Sequence, residues 1–128
     1  MKIAILASRV ILGLLFFVFG LNGILHFMNG PLPPGDGGIW IGLMTTHKYT
    51  SFVALLEIIG GLLLLVGRYV PLGLTILAPI LVNVLCFHLF FSVPGIAAGI
   101  VCTILELFLI FAYRLSFRGL FDAAPEVS

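Results

Sequence analysis

Glu57 and Glu106 are the residues most able to carry chemistry in this chain. Each lies in an apolar run that contains no lysine or arginine: SFVALLEIIGGLLLLV around Glu57 and IAAGIVCTILELFLIFA around Glu106. Taking a carboxylate out of water without a cation is costly. At least one of the two is therefore expected to be the neutral acid at neutral pH. A carboxyl in that condition suits proton transfer, so both are candidate catalytic residues. They could also serve as hydrogen-bonded devices that set helix register.

Their candidate partners are few. Asn22 and His26 are four residues apart, and Asn83 and His88 five apart, each pair in its own apolar segment. Tyr49 adds a hydroxyl. The two histidines fit hydrogen bonds to the carbonyls of a quinone, contact with water or headgroups, or axial ligation of a haem b. The haem ranks behind the quinone. Di-metal helix bundles use Glu-x-x-His on one helix, a pattern this sequence lacks, so no metal is expected. Trp40 either lids a cavity or anchors at an interface. Phe16, Phe17, Phe19, Phe27, Phe87, Phe90 and Phe91 line an aromatic pocket or meet lipid. Cys86 and Cys102 form no CxxC, and a disulfide between them is one reading beside that of two small apolar residues.

These residues need helices to position them. Of the 128 residues, 62% are hydrophobic and 9% charged, and the mean hydropathy is +1.31. Soluble domains run at about 25% charged, so this composition belongs to an integral membrane protein. At about 20 residues per crossing, the length allows four spans. They are expected over about 5–28, 50–67, 71–91 and 96–115, as one integral membrane domain covering 1–128. The expected class is all-α: a transmembrane four-helix bundle with a short interfacial helix in its first outward loop.

Between the first two spans, NGPLPPGDGG (29–38) holds three prolines and four glycines and reads as a loop. IWIGLM (39–44) is too short to span and supplies the interfacial helix. Thr50 or Ser51 is the expected N-cap of the second span. Pro79 predicts a kink. Gly13, Gly20, Gly23 and the Gly60-Gly61 pair predict close helix approach. The N-terminal run continues to Phe27 without a small-x-small site, so it reads as a retained helix rather than a cleaved signal.

Lys2, Arg9, Arg68, Arg114 and Arg118 fall on one side of these spans and only Lys48 on the other, which predicts cytoplasmic termini. At 1.5 Å per residue, Asn22, Glu57 and Asn83 lie roughly 9–12 Å from the outer helix ends and Glu106 roughly 16 Å. The polar residues thus share the outer half. An echo, Asn-His followed by a span with Glu, suggests a duplicated hairpin. A net charge of +1 gives no basic patch for nucleic acid.

The segments RVILGLLFFVFGLNGILHF and LEIIGGLLLLVGRYVPLGLTILAPILVNVLCFH resemble the DoxX family of membrane proteins, over roughly residues 9–115. The resemblance implies a bacterial four-helix membrane bundle. The family is named for a subunit of a thiosulfate:quinone oxidoreductase, and some members are linked to membrane redox complexes. The positions carried over are Asn22, His26, Glu57, Gly60, Gly61, Asn83 and His88.

The expected function is a component of a membrane oxidoreductase that binds a quinone or similar apolar redox ligand in the outer half of the bilayer. Glu57 and Glu106 would relay protons, with Asn22, His26, Asn83, His88, Tyr49 and Trp40 binding the ligand. The alternatives are a non-enzymatic scaffold or assembly subunit, and a small-solute transporter. The expected location is the plasma membrane of a bacterium, with lipid, a redox partner protein and further copies of the chain as partners.

Overall fold

A computed structural model describes residues 1–28 and 30–128. Asn29, the first residue of the expected loop, lies outside the described residues. Those residues form five α-helices and two short 3-10 turns, and no strand. The helices are α1 (Lys2–Leu25), α2 (Asp36–Thr46), α3 (Tyr49–Val66), α4 (Val70–Phe90) and α5 (Ile96–Ala112). The 3-10 turns, Arg114–Ser116 and Arg118–Phe121, follow α5.

The helix ends depart from expectation for local reasons. α1 stops at Leu25 rather than Met28, because His26 takes the left-handed conformation (φ 55°) and donates its N–H to the Asn22 carbonyl. The Asn22 side chain then accepts the Met28 N–H at 2.7 Å. α2 begins at Asp36, inside the stretch expected to be loop. Asp36 complements the dipole of its first turn, Gly37 packs closely on the Phe91 carbonyl oxygen, and Gly38 admits no side chain because a Cβ would run into the Pro33 carbonyl. The N-cap of α3 is Lys48 in the left-handed region (φ 64°), not Thr50 or Ser51, and it makes no side-chain cap. α4 runs unbroken through Pro79. α5 ends three residues before the expected 115, and the chain tightens into the 3-10 turns.

α1 packs on α3, α3 on α4, α4 on α5 and α5 on α1, so four helices close a ring, with α2 outside it against α3. α1 and α3 run antiparallel: Gly23 meets Ala54, Gly13 meets Gly61, and the Arg9 guanidinium lies over Gly67. This crossing depends on missing side chains. A Cβ on Gly61 would lie 2.7 Å from the Gly13 carbonyl oxygen, and one on Gly60 would lie 2.7 Å from Leu77 of α4. Adjacent glycines thus admit two different neighbours. Leu12, Phe16, Leu64, Leu74, Leu77, Leu81 and Leu109 fill the interior.

The outer faces of the helices carry large exposed apolar side chains such as Leu14, Leu62, Val82 and Ile104. α1, α3 and α4 are each long and apolar enough to cross a membrane; α5 is apolar but, at 17 residues, shorter. The chain is therefore consistent with a membrane protein. Lys2, Arg9, Arg68 and Arg114 lie at one end of the ring. The 92–95 turn, α2 and Lys48 lie at the other.

Candidate functional site

The face that α3 turns towards α4 carries Tyr49, Val53, Leu56 and Glu57, at the three- and four-residue spacing of one helical stripe. The facing stripe on α4 is Pro79, Asn83 and Phe87, with Ile80, Val84 and His88 beside it. Between them is a cavity of about 410 Å³, open on one side, with Trp40 of α2 in its wall. Most of its wall is hydrocarbon or aromatic, with a few polar groups: Tyr49, Thr50, Glu57, Asn83 and His88. Such a lining suits an apolar ligand oriented by a small number of hydrogen bonds.

The aromatic end is ordered. Trp40 lies 5.1 Å from Phe87 and 6.3 Å from Phe91, Phe87 lies 6.1 Å from Phe91, and Phe87 meets His88 edge-on at 5.3 Å. Contacts of this kind contribute about 0.5–1.5 kcal/mol each beyond the area they bury. They hold α2 over the cavity.

The polar groups are partly committed. His88 Nδ1 lies 2.8 Å from the Ser92 carbonyl oxygen. A carbonyl only accepts, so Nδ1 carries the hydrogen, and in the neutral ring Nε2 keeps a lone pair. Asn83 Nδ2 donates to the Pro79 carbonyl at 3.0 Å, leaving its Oδ1 free to accept. No lysine or arginine lines the cavity. Glu57 is half-buried in its wall.

Five of the eight expected site residues, Trp40, Tyr49, Glu57, Asn83 and His88, thus meet at one cavity. The other three do not. Asn22 caps the end of α1. His26, past the helix end, is exposed and lies outside this cavity; four-residue spacing put it on the face of Asn22, but its left-handed backbone removes it from that face. Glu106 is 3% exposed and sits in the core on α5, and neither carboxyl oxygen has a hydrogen-bond partner among the described residues. Of the two histidines, His88 lines this cavity and His26 does not. The two Asn-His segments also do different jobs, one capping a helix and one lining a cavity. Cys86 is exposed, Cys102 is buried, and both are free. Of the phenylalanine stripe, Phe87 lines this cavity.

Ile41, Phe52, Val53, Leu56, Pro79 and Ile80 also line the wall and were not foreseen as site residues. The spacing of Val53 to Glu57, and of Pro79 and Ile80 to Asn83, is the signal that marks those three.

The chain is similar to a Bacillus subtilis (strain 168) protein described as "Uncharacterized protein YwoB". The two are 29% identical over 125 residues, covering 91% of this chain and 81% of that protein. No family model matches the chain, and no solved structure matches it.

Proposed function

We propose that this chain is a DoxX-type membrane protein that binds a quinone or similar flat redox ligand in the cavity under Trp40, as a component of a membrane oxidoreductase. The observation that carries this reading is the convergence of Glu57, Asn83, His88 and Tyr49 on one largely apolar cavity of about 410 Å³. An apolar cavity of about 150 Å³ already holds benzene, so a substituted ring fits.

The residues divide the work. His88 Nε2 accepts a hydrogen bond from a ligand hydroxyl, and the Ser92 carbonyl steadies the ring if Nε2 gains a proton. Glu57 gives or takes a proton at the far end of the cavity. Asn83 Oδ1 orients. Phe87 and Trp40 cover the ring faces. A quinone held there supplies two-electron, two-proton chemistry, with electrons exchanged with a redox partner protein. Glu106 lies outside this cavity and has no part in that exchange.

The setting is a four-helix transmembrane bundle in a bacterial plasma membrane, with α5 and its 3-10 extension as the fourth span and both termini cytoplasmic. The clustering of Lys2, Arg9, Arg68 and Arg114 at one end supports that orientation.

Organic extraction of the purified protein tests the reading. Quinone counted together with its quinol is expected in near-stoichiometric amount from the wild type and in smaller amount from His88→Leu. Folded wild-type protein that neither carries nor takes up quinone would favour the scaffold reading.

A further inference from the structure

A second cavity, of about 230 Å³, lies on the α1 and α5 side of α4. Phe16, Phe19, Leu81, Ala98, Gly99 and Cys102 contribute to its wall. The residues common to both cavities are Val84 and His88. They are one turn apart on α4 and therefore on one face, so the two cavities meet at the strip of α4 that these residues form. On one side of it lie Glu57, Asn83 and Tyr49. On the other, apart from the shared histidine, the wall is apolar. Two of its residues are small: Ala98 is exposed at its open rim, and Gly99 is buried against Val84 and Leu85.

The geometry points to a divided site for an amphiphile. The ring occupies the cavity under Trp40, and the first carbons of a branched hydrocarbon tail cross the Val84–His88 ridge into the second cavity. This assignment rests on the quinone-type reading of the first cavity and adds to it the ligand class, a lipid quinone rather than a tail-less ring. The second cavity exceeds the roughly 150 Å³ that a benzene-sized group needs. The tail leaves lipid of similar polarity, so the gain comes from packing and shape rather than from escaping water. It therefore depends on the free volume beside Ala98 and Gly99.

The test uses the full chain in lipid nanodiscs and two probes: a ring-substituted benzoquinone without a tail, and the same ring bearing one short isoprenoid chain. Binding is read from quenching of Trp40, the single tryptophan, against the concentration of probe in the bilayer. The wild type is expected to bind the tailed probe several-fold more tightly. Ala98→Phe fills the second cavity from its rim and should bring that ratio close to one. Gly99→Val, which crowds Val84 and Leu85, should do the same and serves if Ala98→Phe does not fold. A ratio that stays at the wild-type value in a folded variant overturns the tail assignment, leaving the tail in lipid and the ring reading intact. Absence of saturable quenching by the tail-less probe in the wild type overturns both.

Discussion

His88 and Glu57 have separable roles at the scale of single residues. The Ser92 carbonyl commits one nitrogen of His88, so its contribution to binding is the hydrogen bond at Nε2. A net hydrogen bond contributes about 0.5–1.5 kcal/mol, and His88→Leu is expected to weaken binding of a tail-less quinol, whose hydroxyl donates to Nε2, by up to about tenfold, and that of the quinone much less. Titration of the variant by fluorescence checks this. Glu106 gives the opposite expectation. Its carboxyl oxygens have no partner in the core, and burying an unpartnered polar group costs about 1–3 kcal/mol. Glu106→Leu should therefore raise the thermal unfolding midpoint, and a lowered midpoint would show a bond that Glu106 makes in the working protein. Glu57, Asn83 and His88 were legible in the sequence as polar residues in apolar spans, and that α3 and α4 turn them towards one cavity came from the structure. Helical periodicity misplaced His26, because a single left-handed residue ends α1 and breaks the four-residue count. It misplaced Glu106, because an acid on a helix faces a cavity or a core according to which helices flank it, and periodicity does not order helices.

At the scale of elements, the close crossing of α1 and α3 sets where the α3 stripe points. Gly13 and Gly61 meet backbone to backbone, so no rotamer change relieves an added side chain. Gly61→Leu is expected to destabilise the protein by at least about 1–3 kcal/mol. The corresponding measurements are a lowered unfolding midpoint and loss of a monodisperse peak in size-exclusion chromatography. A change at Gly42, where a Cβ meets nothing within 4 Å, provides the tolerant control. The glycine signals for close approach were readable in advance. The start of α2 was not: Asp36-Gly37-Gly38 reads as a loop until the Phe91 carbonyl is seen against Gly37. Its place in the cavity wall likewise depends on Trp40 meeting two aromatic residues that lie about 50 positions later in the chain.

At the scale of the whole molecule, the described residues form a ring of four helices, with α2 outside it, most of the basic residues at one end and the Trp40–Phe87–Phe91 cluster at the other. Apolar composition made the helices readable, although of the four expected spans three are long and apolar enough to cross a membrane, and the basic residues distinguished the two ends. The pairing of helices round the ring came only from the structure. If the basic end faces the cytoplasm, a cysteine placed at Lys48 reacts with an impermeant maleimide added outside intact cells, whereas one placed at Ser128 reacts only after lysis. The reverse pattern would invert the site relative to the membrane.

The central claim is that the cavity between α3 and α4 binds a quinone-type ring, and Trp40 reports on it directly. Titrating the wild-type protein in nanodiscs with a tail-less benzoquinone should quench Trp40 with a saturable curve. Trp40 fluorescence that declines only linearly, with the slope of a free tryptophan analogue in the same bilayer, would contradict the claim.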